Sequence, residues 1–201
     1  MNLAIFLSGT GSNFKAIAEA IEQGKIPAKI TLVASNKPDT LGLITAKDMG
    51  FYTTVFQRSE YPDGASFANY MLGILSEREV HLIALAGYLR KIPPNVLRAF
   101  SNRIVNIHPA LLPKFGGKGM YGMNVHRAVI EAGESESGVT IHSVNEEYDC
   151  GEIIAQRRVP VLTDDIPETL AARVLKVEHQ FYSEVIKEFA IRINKELKLN
   201  D

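Results

Sequence analysis

A single cysteine, Cys150, stands among the 201 residues. It excludes an internal disulfide and fits a reducing compartment such as the cytoplasm. No apolar run approaches the roughly 20 residues that a membrane-spanning helix requires. The first apolar segment, Asn2–Leu7, is short and has no basic flank, so it does not read as a signal peptide. Neither sign of charge is in excess: 22 basic against 23 acidic residues leave a formal net charge of −1. That excludes a basic footprint for nucleic acid and a polybasic membrane surface. Internal repeats, low-complexity tracts and Pro/Gly/Ser linkers are missing too. At 46% hydrophobic and 22% charged residues, the composition excludes disorder as the main state. Residues 1–201 are expected to form one α/β domain with a full core.

What is present is an alternation. Apolar runs of strand length occur at Asn2–Leu7, Ile30–Ala34, Tyr52–Phe56, Leu82–Ala86 and Ile104–Ile107. Between them lie helix-like segments at Asn13–Glu22, Leu41–Met49, Ser66–Glu79 and Pro94–Phe100. The runs are continuous in Val, Ile, Leu and Ala rather than alternating, which predicts strands buried on both faces. Strand–helix–strand order then predicts a mostly parallel, twisted sheet with helices on both faces. Residues 108–123 break the rhythm with prolines at 109 and 113 and glycines at 116, 117, 119 and 122. That is a long irregular loop of the kind that carries function. A helix from about Val125 to Ala132, strands at Gly138–Val144 and Ile153–Val159, and a final helix from Pro167 to about Lys195, with a break, are expected after it.

Ligands of such sheets bind at the carboxyl ends of the strands. After the first strand comes Ser8-Gly9-Thr10-Gly11-Ser12-Asn13. Its glycines permit a tight turn and let backbone N–H groups approach an anion, while the helix N-terminus adds partial positive charge. Ser12 and Asn13 add a hydroxyl and an amide. The same residues also suit a plain capped turn. The third glycine of a dinucleotide fingerprint is missing, because Phe14 stands there. The second strand ends in Ser35-Asn36-Lys37, without the acidic residue that a ribose would need. There is no Walker motif. A small phosphorylated metabolite therefore fits better than NAD or ATP.

Asn106-Ile107-His108-Pro109 ends the fifth strand, and positions i and i+2 of a strand face the same side. Asn106 and His108 project together. An amide can donate to a developing oxyanion and an imidazole can exchange a proton near neutral pH. Capping of the strand end is the plainer alternative. His142 lies in the strand Gly138–Val144, and the acidic turn after it carries Asp149 directly before Cys150-Gly151. A carboxylate beside His108 would raise the pKa of that imidazole and orient it. Asp149 could equally be a turn cap. His108, His142, Asp149 and Cys150 could make a metal set, but no close-spaced ligand pair supports it, so no metal is expected. Cys150 has no marked activating base for a nucleophilic role. His81, His126 and His179 read as ordinary structural residues. No G-x-S-x-G elbow is present, so direct transfer between two bound ligands is the expected chemistry.

In order, Gly9-Thr10-Gly11-Ser12-Asn13, Ala86-Gly87-Tyr88-Leu89-Arg90, Asn106-Ile107-His108-Pro109-Ala110-Leu111-Leu112-Pro113 and Asp149-Cys150-Gly151 resemble the folate-dependent formyltransferases. The likeness runs from about residue 2 to 190, and the glycine loop favours the glycinamide ribonucleotide branch. The resemblance implies a Rossmann-like formyltransferase fold, with residues 2–100 as a phosphate-binding half and 101–201 as a catalytic and folate-site half. It implies transfer of the formyl group of 10-formyltetrahydrofolate, a co-substrate, to the amine of glycinamide ribonucleotide in purine biosynthesis. Gly11, Ser12 and Asn13 would hold the phosphate and Glu178 would contact the amine or ribose side. Leu89, Arg90, Lys91 and Ile92 would line the folate pocket. His108 would be the catalytic imidazole, Asn106 would polarise the formyl carbonyl, and Asp149 would raise the pKa of His108 and relay protons. A cytoplasmic monomer or homodimer acting on small molecules follows, with no nucleic acid and no membrane.

Three positions depart from the family pattern. Tyr61-Pro62-Asp63-Gly64-Ala65 has no basic residue where many members carry a folate-touching arginine, the nearest being Arg58. The loop after Pro113 is long, and Leu175 is apolar where relatives often have a polar contact. The rival readings are a formyltetrahydrofolate hydrolase, which usually carries an N-terminal regulatory domain, and a non-enzymatic phosphometabolite-binding module. A tRNA formyltransferase would need an added C-terminal domain.

Overall fold

Leu3, Ile5 and Leu7 of the first strand are buried in one apolar cluster, and Ala4 and Phe6 in another. The two-residue period of a strand sends alternate side chains to opposite faces, so β1 (Asn2–Leu7) is covered on both sides. The computed structural model, which describes residues 1–200, repeats this logic outward from β1. The other strands are β2 (Lys29–Ser35), β3 (Thr53–Val55), β4 (Leu82–Leu85), β5 (Ile104–His108), β6 (Glu136–Ser143) and β7 (Ile153–Pro160). They form one seven-stranded sheet in the order β3-β2-β1-β4-β5-β6-β7. β1 to β5 pair in parallel, whereas β6 pairs antiparallel with β5 and with β7.

One face of the sheet packs on α1 (Ser12–Glu22), α2 (Leu41–Asp48), α5 (Met123–Glu131) and α6 (Pro167–Asn200), through residues such as Phe14, Leu43, Val129 and Val174. The other face packs on α3 (Gly64–Glu77) and α4 (Pro94–Ala99), through Phe67, Met71 and Val96. This is the α/β architecture that the alternation of runs implies. Asp63 caps α3 by accepting from the Ser66 N–H at 2.7 Å, a bond of the kind worth about 1 kcal/mol. Several expected boundaries change: α3 begins at Gly64 and β6 at Glu136, each two residues early. α5 begins at Met123, two residues early, and α6 runs unbroken for 34 residues, because apolar positions such as Leu170, Val174, Phe181, Val185 and Phe189 keep one face buried along its length. No helix among the described residues is long and apolar enough to cross a membrane.

The strand order reverses between β1 and β4, where the chain leaves for β2 on one side and β4 on the other. Crossovers on either side of such a point diverge and open a crevice at the carboxyl edge. The fully buried Tyr182 ties α6 to the sheet beside it. Its hydroxyl donates at 3.0 Å to the carbonyl oxygens of Leu85, at the end of β4, and of Val105, within β5.

Candidate active site

At the crevice lies a cavity of about 770 Å³, lined from the loop after β1 and the start of α1, from the ends of β4, β5 and β6, and from α5 and α6. One end is the glycine loop. Gly11 adopts φ +75°, and a Cβ on it would lie 2.7 Å from the Cα of Gly42 at the start of α2. The Gly42 N–H donates to the Gly9 carbonyl at 3.0 Å. Only glycine allows this contact at this φ. Gly11 also stands at the N-cap of α1 with no side chain bonding the helix end, which leaves that end of the helix dipole facing the cavity.

The side chain of Asn13 lines the same cavity and pairs with α6. Its Nδ2 donates to Glu178 Oε2 at 3.0 Å, and its Oδ1 is buried without a partner. The Glu178 carboxyl is pushed up to about 7 by burial, against the pull of the Asn13 hydrogen bond. Near neutral pH it is therefore poised between acceptor and donor.

The other end holds Asn106, His108, His142 and Asp149. Asn106 and His108 come from β5, and His142 is the direct neighbour of Asn106 across the β5–β6 ladder. Asp149 follows β6 in a turn and has φ +56°. Gly151 lets that turn fold flat against β6: a Cβ there would lie 1.7 Å from the Ser143 carbonyl oxygen. Asp149 Oδ2 accepts from the Gly117 N–H at 2.9 Å and lies 3.6 Å from His108 Nδ1. His108 Nε2 lies 2.8 Å from the Phe115 carbonyl oxygen, which can only accept, so this nitrogen carries the proton and Nδ1 is the open one.

Asp149 does raise the pKa of His108, but burial is the larger effect. With the ring only 4% exposed, the net shift is downward. The rise expected from Asp149 is present, and desolvation of the imidazolium outweighs that one carboxylate at 3.6 Å. Burial raises the Asp149 carboxyl in turn. Its hydrogen-bonding and charged neighbours, the Gly117 N–H at 2.9 Å among them, outweigh that and hold it below its ordinary range.

Leu89, Arg90, Lys91 and Ile92 form the wall between these ends, as part of the segment after β4. The Leu89 N–H donates to Ser8 Oγ at 2.9 Å, which ties the wall to the glycine loop. Lys91 Nζ donates to the Glu146 carbonyl at 2.7 Å and lies 5.3 Å from the centre of the Tyr148 ring, bridging to the Asp149 turn. Beyond the wall a second cavity of about 810 Å³ shares Tyr88, Arg90, Lys91 and Tyr148 with the first. Arg58, Gly64 and Ala65 line it, so the departure from the family pattern falls there.

Cys150 is exposed, and its thiol donates to the Tyr148 carbonyl at 3.2 Å. Among the described residues no group of three or more His, Cys, Asp or Glu side chains is arranged to hold a metal. Sequence reasoning undervalued two histidines. His142 meets Asn106 only through ladder register, which a separation of 36 positions hides. His126 of α5 is buried in the cavity wall with Nδ1 unpartnered. Its position beside the buried Val125 and Val129 was the available signal.

Residues 1–186 match the formyl transferase family. The chain belongs to that family. Among its curated relatives, the chloroplastic phosphoribosylglycinamide formyltransferase of Vigna unguiculata is 48% identical over 186 residues, covering 92% of this chain. The chain spans only 59% of that relative's length. The Haemophilus influenzae phosphoribosylglycinamide formyltransferase is 40% identical over 187 residues, covering 93% of this formyl transferase and 86% of the relative. The crystal structure of glycinamide ribonucleotide transformylase 1 from Geobacillus kaustophilus superposes with a TM-score of 0.87 at 40% identity, covering 94% of this chain and 98% of that one.

Proposed function

We propose that this formyl transferase moves the formyl group of 10-formyltetrahydrofolate to the amine of glycinamide ribonucleotide, a step of purine biosynthesis. The observation that carries the reading is the meeting, in one cavity, of an anion-ready glycine loop with the Asn106–His108–Asp149 cluster. Residues 2–100 supply the anion loop and the Leu89–Ile92 wall. Residues 101–201 supply the reaction centre, together with Glu178 at the anion end. The backbone of Gly11, Ser12 and Asn13 takes the phosphate, while Glu178 takes the ribose or amine side. Leu89, Arg90, Lys91 and Ile92 border the folate.

Attack of an amine on a formyl carbon places negative charge on the formyl oxygen and a proton too many on the nitrogen. Asn106 donates a hydrogen bond to that oxygen. His108 starts neutral, because burial lowers its pKa, and accepts the proton at Nδ1. The resulting imidazolium faces Asp149 and adds positive charge near the oxyanion. The proton then passes to the leaving nitrogen of the donor. No covalent enzyme intermediate is needed, and holding two ligands in line supplies much of the rate. No metal enters the scheme. The reading places the protein in the cytoplasm, as a monomer or homodimer without nucleic-acid or membrane partners.

The test is an optical assay of formyl loss from a 10-formyl folate, with and without glycinamide ribonucleotide. Loss only with the ribonucleotide supports the transferase. Loss without it, with formate released, supports a hydrolase. No loss in either tube, with ligand still bound, supports a binding module.

A further inference from the structure

We propose that His142 is a positioning residue that aims the amide of Asn106. His142 is buried on β6, opposite Asn106. Its Nδ1 lies 2.8 Å from the Ser143 carbonyl oxygen. A carbonyl can only accept, so Nδ1 carries the hydrogen and the neutral ring presents a bare Nε2. Asn106 Nδ2 lies 3.0 Å from that Nε2 and donates to it, whereas Asp149 Oδ1, at 3.5 Å from the same nitrogen, is beyond the usual N–H···O range. An amide presented the other way round would set its oxygen against the lone pair of the ring. The tautomer of His142 therefore decides which end of the Asn106 amide faces Asp149.

The consequence is geometric. One of the two amide hydrogens is fixed on His142. The second, in the same plane, points towards Asp149 Oδ1 at 3.4 Å. That contact is long for an N–H···O bond, so it is the one that yields when a carbonyl oxygen arrives. Ser143 is itself pinned, since its N–H donates to the Glu152 carbonyl at 2.8 Å and Gly151 packs on its oxygen. The relay runs from the Gly151 turn through Ser143 and His142 to Asn106. His142 needs no contact with substrate to do this. The role in catalysis rests on the transfer reaction proposed above; the tautomer does not.

Two measurements test it. In the ligand-free protein, nitrogen-15 NMR of the imidazoles should show neutral His142 protonated on Nδ1; protonation on Nε2 instead would overturn the proposal whatever the protein catalyses. In the transfer assay, His142→Leu should lower kcat by about 10²-fold, the scale of a misplaced catalytic group, with KM for both ligands little changed. His142→Gln, whose Oε1 can stand where the ring has Nε2, should recover most of that loss. In an Asn106→Ala background, His142→Leu should cost almost nothing more. Additive losses in this cycle, or equal losses for the Gln and Leu variants, would show a structural role only. If the Leu variant does not fold, the tautomer and the Gln variant decide: wild-type Nδ1–H with a kcat for His142→Gln as low as that of Asn106→Ala overturns the aiming role.

Discussion

The two ends of the cavity are built on different principles. At the glycine end the backbone does the work: Gly11 and Gly42 touch, the α1 terminus is left open, and the one acidic side chain, Glu178, is kept near neutral by burial. At the histidine end side chains do the work. Asn106, His108, His142 and Asp149 satisfy one another and lean on carbonyls of Phe115 and Ser143. The first design suits a ligand of fixed charge. The second holds groups whose protons must move, so it needs several partners whose preferences oppose. The contrast predicts that changes at the histidine end act on kcat and those at the glycine end on KM or stability.

The largest expected effect tests the histidine end. His108→Ala and Asp149→Asn should each lower kcat by about 10²-fold or more, the usual contribution of general acid–base groups. Near-wild-type turnover in both would dissolve the distinction between the ends. The pH profile sharpens it. Activity that depends on neutral His108 is lost as pH falls through a pKa below 6.5. Asp149 raises that pKa in the ligand-free protein, so its removal should move the acid limb of kcat/KM to lower pH. A limb that moves upward would contradict the assignment.

Glu178 gives the next largest effect, on stability. Its folded pKa of about 7 stands above the ordinary 4.5, so folding takes up a proton between those values. The stabilisation by the protonated form is complete below 4.5 and is lost as pH rises through about 7. The gap of 7 minus 4.5, or 2.5 units at 1.36 kcal/mol each, is on the order of 3 kcal/mol. Urea unfolding of Glu178→Gln at pH 5 and pH 8 should therefore show the variant gaining on the wild type at the higher pH. Equal pH dependence in both proteins would mean that the carboxyl is not the buried group described. Gly11→Ala comes third. The added Cβ meets the Gly42 backbone at a positive φ, a strain of about 1–3 kcal/mol. The ribonucleotide KM should rise while kcat stays closer to wild type; a loss confined to kcat would reverse the predicted contrast.

The glycine end was the more legible in sequence because its parts are adjacent. Strand, glycines and helix follow one another in residues 2–22, and each carries its own signal. Even there one link was hidden, since the Asn13 amide pairs with Glu178, 165 positions away. At the histidine end Asn106 and His108 were visible as neighbours in one strand. The link to His142 was hidden, because it depends on the register of an antiparallel pair formed across the long loop and α5. The net shift of His108 was also hidden. A carboxylate beside an imidazole can be guessed from residues, but the desolvation that outweighs it belongs to the packed structure.

The smallest expected effect lies between the ends, where Lys91 bridges the Leu89–Ile92 wall to the Asp149 turn through the Glu146 carbonyl. If that bridge shapes the wall without entering the chemistry, Lys91→Ala should raise the folate KM by a factor of about 3, the scale of an exposed charged contact. It should leave the ribonucleotide KM and kcat near wild type. Added salt should narrow the difference between the two proteins, because an exposed ammonium is screened. A fall in kcat instead would mean that the bridge also fixes Asp149, three positions from Glu146. The wall would then belong to the histidine end, and the boundary between the two designs would move to Leu89, where the Ser8 hydroxyl ties the wall to the glycine loop.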